Sequence, residues 1–175
     1  MNDGKIFEKD FTDSIDKKHI LIKRLNDNAS SWNGGTFTRF TSTNECDFIL
    51  YDDNTMLLYG LELKSTKGNS LSFWRKDFER KDKKKSFHIR KCQILGLEKW
   101  SEHKGIYGFV FNFREPNNDT YFVNIKNFIN YTSTLSKKSI NVEDILQMQP
   151  IKIQSTKKIS HYKYDTESFF NAFSN

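Results

Sequence analysis

The chain has 175 residues, enough for one domain with an adequate core, and sixteen phenylalanines argue against disorder. Its net charge of +6 and sequence pI of about 9.2 fit an anionic partner. No apolar run approaches the ~20 residues of a membrane span, and Cys46 and Cys92 lie in neither a CxxC nor a zinc spacing, which excludes a disulfide or zinc scaffold. Both cysteines read as free thiols of a reducing compartment. The start, Met1-Asn2-Asp3-Gly4-Lys5, lacks the apolar centre of a signal peptide, so a cytoplasmic protein is expected.

Apolar residues Ile6, Phe7, Phe11, Ile15, Ile22 and Leu25 predict a helix over 5–26, with Asp3 as a cap. Glu8 falls at the edge of that stripe, where its plain reading is a helix-surface carboxylate. Residues 28–35 are turn material, and 36–40 read as a short strand. Two strands follow, 46–51 and 57–64, joined at Asp52-Asp53-Asn54. A loop over 65–72 leads into a basic stretch. A second helix is predicted over 88–102, with Ile89, Cys92, Leu95, Leu97 and Trp100 on its apolar side and Gln93 among them. Strands at 106–113 and 120–125 flank the turn Glu115-Pro116-Asn117-Asn118. Short helices are predicted at 125–131, at 142–148 with Asn141 as N-cap and Pro150 as stop, and at 166–173, where Phe169, Phe170 and Phe173 read as core. The basic pair Lys157-Lys158 reads as surface. The pattern predicts a single α/β domain over 1–175, a mixed central β-sheet flanked by helices, with a core over about 4–125 and a packing extension over 126–175.

The chemistry is expected at the two central strands. Side chains alternate along a strand, so Glu62 and Lys64 share one face while Leu61 and Leu63 point to a core. Asp47 on the neighbouring strand reaches the same place. Two carboxylates and a lysine suit metal-assisted phosphodiester hydrolysis, since carboxylate oxygens are the ligands Mg²⁺ prefers. On an exposed face the same Glu-x-Lys would be a solvated ion pair. Residues 75–91 hold Arg75, Lys76, Arg80, Lys81, Lys83, Lys84, Lys85, Arg90 and Lys91 against three acids, a balance equal to the whole net charge. Phosphate contacts fit this stretch better than a merely solvated face.

Several features then line up in order: Gly4-x-x-x-Glu8, Thr43-Asn44-x-x-Asp47, Leu61-Glu62-Leu63-Lys64-Ser65-Thr66-Lys67-Gly68-Asn69, Phe73, Gln93-Ile94, and the strand Tyr107-Gly108-Phe109-Val110-Phe111. Over residues 4–125 the chain resembles the PD-(D/E)xK nuclease superfamily, with its restriction-endonuclease-like fold, and within it the RecU-type Holliday-junction resolvases. The resemblance implies Asp47 and Glu62 as metal-binding carboxylates for Mg²⁺ or Mn²⁺, with the Leu63 backbone carbonyl as a further ligand. It implies Lys64 as the catalytic lysine, Glu8 as the first-helix glutamate that completes the site, and Gln93 as the glutamine of the following helix. It also implies a homodimer that makes two coordinated nicks in branched DNA during recombination or repair. Cys46 stands where the superfamily has proline, and Cys92 where histidine is expected before the glutamine. The stretch 28–46 leaves little room for the stalk of RecU enzymes. That favours, as alternative, a restriction-like or repair endonuclease on duplex DNA. A non-catalytic nucleic-acid-binding protein on the nuclease fold is the remaining reading.

Overall fold

The computed structural model describes residues 3–25, 44–76 and 87–174. The chain opens with helix α1 (Asp3–Asp13) and turns into strand β1 (Ile20–Arg24). This corrects the single helix expected over 5–26. The Ser14 N–H is already held by the Phe11 carbonyl, and the Ile20 N–H donates to the Asp16 carbonyl at 3.2 Å, so a turn forms where the helix would continue. The β-branched Ile20 and Ile22 then face inward while Leu21 and Lys23 face out. The strand expected at 36–40 lies outside the described residues.

Strands β2 (Phe48–Asp52) and β3 (Leu57–Thr66) form the expected hairpin. Its turn falls one residue later than expected, because Asp52 completes β2 and its carboxylate accepts the Asn54 N–H at 3.0 Å and the Thr55 hydroxyl at 2.8 Å. After β4 (Leu71–Ser72) come α2 (Lys91–Trp100), β5 (Ile106–Phe113), β6 (Asp119–Asn124) and α3 (Ile125–Thr134). The remainder holds β7 (Ser139–Ile140), α4 (Val142–Gln147), β8 (Ile151–Lys152), β9 (Ser155–Lys157), β10 (Tyr162–Tyr164) and α5 (Thr166–Asn171). Asn141 caps α4 as expected, its side chain accepting the Asp144 N–H at 3.0 Å. The segment 149–165, for which the sequence pattern predicts no element, supplies one more sheet strand and a separate hairpin.

Six strands form one sheet in the order β1-β2-β3-β5-β6-β8. Within it only β3 and β5 run parallel, and α2 makes the crossover between them. Helices cover both faces, which is why β5 reads apolar at nearly every position. On one face Phe109, Phe111 and Phe113 pack with α2 and α3, and the Phe109 and Phe128 ring centroids are 4.8 Å apart. On the other, Leu61, Leu63, Val110 and Phe122 meet Phe7 and Phe11 of α1 and Phe169 and Phe170 of α5. Gly108 is required where β5 meets β6: a Cβ there would sit 2.1 Å from the Val123 carbonyl oxygen. No helix of the described residues is long and apolar enough to cross a membrane.

Candidate active site

Asp47 directly precedes β2 and continues its register. Phe48 pairs with Leu61, and the Asp47 N–H donates to the Leu61 carbonyl at 3.1 Å, which sets Asp47 opposite Glu62. Directly opposed residues of antiparallel strands share a face. The Asp47 carboxylate is itself anchored, its Oδ2 accepting the Leu63 N–H at 2.8 Å. Glu62 and Lys64 stand on the side of the sheet that α2 covers, and Lys64 Nζ lies 2.7 Å from Glu62 Oε1. The same carboxylate oxygen accepts from the Gln93 side-chain amide. Gln93 is fixed from its other end, where Oε1 accepts the Arg90 N–H at 2.8 Å. A glutamine at the third position of a helix, reaching back to the first free N–H, is half of a capping box. Arg90 is not one of the usual capping residues, so the local sequence carries no signal for this pair.

Glu62 is 2% exposed. Its carboxyl pKa is raised to about 8: burial and, less strongly, Asp47 push it up, while Lys64 and Arg90 pull it down. A solvated Glu-x-Lys pair would show neither the burial nor the shift. Beside it, burial and the two carboxylates hold the Cys46 thiol far above its ordinary range, so Cys46 is a packing residue here. Glu8 is ion-paired with Arg24 at 2.6 Å, and Arg24 lies opposite Phe48, next to Asp47. The site thus brings together Asp47, Glu62, Lys64 and Gln93, with Glu8 tied to the neighbouring end of β1. The Leu63 carbonyl belongs to the β3 backbone between the two functional side chains. Among the described residues no three His, Cys, Asp or Glu side chains converge as a ready metal cluster. The donors at hand are two carboxylates and backbone carbonyls. That set fits Mg²⁺, which keeps several waters and takes one or two protein carboxylates. A buried carboxylate held up near 8 next to a second one is a group that a divalent cation would relieve.

The expected DNA-binding residues separate. Arg80, Lys81, Lys83, Lys84 and Lys85 lie outside the described residues. Lys76, Arg90 and Lys91 are exposed, and Lys91 sits over the Trp74 ring at 5.1 Å. Arg75 has a structural task instead: its guanidinium donates to the Thr132 carbonyl at 2.6 Å and to that of Leu135, closing the C-terminal end of α3. Arg75→Ala is therefore expected to cost about 1–3 kcal/mol of stability. Urea unfolding measures this directly, and an unchanged midpoint would show that those bonds contribute nothing. A contact missed in the sequence is the Asp3 clamp. Its Oδ1 meets Arg114 at 3.2 Å and its Oδ2 meets Lys67 at 3.1 Å, fastening the start of α1 to the residues just after β5 and β3. Asp3, expected as a cap, is spent on this instead. Long-range ion pairs carry no local sequence signal.

A cleft of about 860 Å³ opens at the far end of the sheet, lined by Asp13, His19, Asp52 and Glu167 among others. Asp52 is at the opposite end of β2 from Asp47, so this cleft is remote from the buried carboxylate.

The chain is similar to known proteins. Residues 60–164 match the family RecU, Recombination protein U. The chain is also similar to the SPbeta prophage-derived uncharacterized protein YotM of Bacillus subtilis (strain 168). Identity is 32% over 139 residues, covering 78% of this chain and 63% of that protein, so the chain spans less than two thirds of its relative's length. RecU proteins are Holliday-junction resolvases of the PD-(D/E)xK type, a nuclease family that acts in recombination. With its six-stranded mixed sheet, its buried Glu-x-Lys and a match over most of its length, this chain belongs to the RecU family.

Proposed function

We propose that this protein is a divalent-metal-dependent endodeoxyribonuclease that cleaves branched DNA, acting as a homodimer. The observation that carries the reading is the buried Glu62 carboxylate, set opposite Asp47 and held by both Lys64 and Gln93. A binding protein has no need of an acid buried at this cost. Asp47 and Glu62, with the Leu63 carbonyl and Glu8, would hold Mg²⁺ or Mn²⁺. Such an ion supplies neutralisation of charge on the scissile phosphate and a lowered pKa for water.

The chain's own groups do the rest. The Asp47–Leu63 bond fixes one carboxylate on the backbone that carries the other. Gln93 holds Glu62 in one rotamer, so the two acids keep their spacing without rearranging. Lys64, beside Glu62, would stabilise charge developing on the phosphate. Arg90, Lys91 and Lys76, with the basic residues 80–85, would neutralise the flanking phosphates, so affinity should fall steeply with salt.

The test uses end-labelled four-way junction, linear duplex and single-stranded DNA, with Mg²⁺, Mn²⁺ or EDTA, alongside Asp47→Asn. Paired nicks flanking the branch, lost in the variant and in EDTA, are the expected result. Equal or faster cutting of linear duplex would keep the site chemistry and remove junction selectivity. No metal-dependent cutting of any substrate would leave a DNA-binding protein on a nuclease fold.

A further inference from the structure

The stretches that carry Ser72 and His88 run side by side ahead of α2. Phe73 and Ile89 form a parallel bridge, the Ile89 N–H donates to the Ser72 carbonyl at 2.9 Å, and the Trp74 N–H donates to the Ile89 carbonyl at 3.0 Å. On its other side β4 pairs with β7, Ser72 opposite Ser139. Arg75 ties the same stretch to the end of α3. On this fixed backbone the His88 ring is held by three contacts. The Ser72 N–H donates to His88 Nδ1 at 3.1 Å, Ser72 Oγ lies 2.8 Å from the same nitrogen, and the His88 N–H donates to Ser72 Oγ at 3.1 Å.

These contacts fix where the ring proton sits. A backbone N–H only donates, so Nδ1 accepts and carries no proton. The Ser72 hydroxyl donates to it as well, since its oxygen already takes the His88 N–H. The imidazole is neutral, with its one proton on Nε2. Nε2 has no partner among the described residues, and His88 is exposed. Joining the two stretches does not require this nitrogen, because their backbones are bonded directly. Nor does a nitrogen that bears a proton ligate a metal. It is a donor of fixed direction, open to an acceptor from outside the chain.

The position of the ring points to the acceptor. Ile89 is fully buried, while His88 and Arg90 on either side of it are exposed. Their Cα atoms are at most about 7 Å apart. Arg90 lies near enough to Glu62 to pull its carboxyl pKa down. The Arg90 N–H holds Gln93, which holds Glu62. Lys91 follows, over the Trp74 ring. His88 therefore borders the candidate active site beside two exposed cations. DNA drawn to those cations presents phosphate oxygens, which only accept hydrogen bonds.

We propose that His88 is a neutral DNA contact, its ring set by Ser72 so that the Nε2–H donates to a phosphate oxygen next to those held by Arg90 and Lys91. The inference rests on the nuclease reading above. A neutral donor displaces no counterion, so its share of the affinity does not depend on salt, unlike that of a lysine.

Binding of a labelled four-way junction is measured by anisotropy in EDTA at pH 8, for wild type, His88→Ala, His88→Gln and Lys91→Ala. His88→Ala is expected to weaken binding about 10-fold at every salt concentration, with the slope of log affinity against log salt unchanged. Lys91→Ala is expected to lower that slope by about 1. His88→Gln carries an amide N–H near the Nε2 position and should bind within about 3-fold of wild type. Long-range ¹H–¹⁵N spectra of wild type should show the His88 ring protonated on Nε2, with that resonance moving when the junction is added. Wild-type affinity in His88→Ala would overturn the contact. So would a lowered salt slope in that variant, a ring protonated on Nδ1, or an Nε2 resonance that ignores DNA. Binding lost equally in His88→Gln at wild-type Tm would reduce the ring to a clasp between the two stretches. Cleavage with Mg²⁺ is scored separately on the same junction. Cutting by wild type with no effect of His88→Ala on binding sinks the contact alone, and an effect on binding without cutting sinks the nuclease reading alone.

Discussion

Glu62→Gln is expected to abolish DNA cleavage while making the metal-free protein more stable at alkaline pH. The amide keeps an oxygen for Gln93 and Lys64, so geometry is conserved and the charge is lost. Under the proposed function Glu62 would hold both the metal and Lys64, so removing its charge should lower the cleavage rate by about 10²–10³-fold or more. Stability goes the other way. The folded Glu62 carboxyl titrates near 8, far above its ordinary 4.5. A raised folded pKa means the favourable contribution is complete below about 4.5 and disappears as pH climbs through about 8. Wild type therefore carries a penalty at pH 9 that glutamine does not. It should amount to roughly 2–4 kcal/mol, or about 5–10 °C in Tm, less whatever Lys64 loses with its partner. At pH 5 the difference should nearly vanish. Thermal unfolding in EDTA at both pH values decides the matter, and a variant that melts at or below wild type at pH 9 would rule out a strained acid.

Phe109→Ala should produce the largest fall in stability. Phe109 is fully buried, lies beside Glu62 in the β3–β5 register, and meets the rings of Phe111 at 5.4 Å and Phe128 at 4.8 Å. Truncating such a ring costs about 3–5 kcal/mol, and domains of this size hold only about 5–15 in total. The denaturant midpoint should drop with an unchanged slope, and Tm by roughly 10–15 °C. Phe109→Leu should recover more than half of the loss. If alanine shifted the midpoint by less than about 1 kcal/mol equivalent, the aromatic layer would not be a single packing unit.

Parts of the fold and the pairing at its central strands were legible in the sequence. Alternation along 57–66 gave the shared face of Glu62 and Lys64, because strand periodicity is strict and local. The β5–β6 pair and the cap at Asn141 were legible for the same reason. What periodicity could not decide was 14–25, where Ile15, Ile22 and Leu25 suit a helix while Ile20, Ile22 and Arg24 suit a strand. The pairing with β2 decides it, and pairing is not local. Burial of Glu62 was also hidden, since it depends on α2 folding over β3. Short strands such as β8 and β9 gave no run long enough to show a period. The hairpin tip showed in the sequence only as the basic pair Lys157-Lys158.

Both ends of the described chain meet on one face of the sheet. Asp10 is bonded to Tyr162 and Ser14 to Tyr164 and Thr166, and Tyr59 and Phe122 are sealed by Phe169, Phe170 and Phe173. Pairings so distant along the chain form late and slow folding. On the ribosome, a nascent chain that has emerged through Gln93 already carries every group of the candidate site, yet the layer behind β3 stays open until residues 162–173 follow. The strand that bears Glu62 and Lys64 therefore acquires its full backing only once α5 has been made.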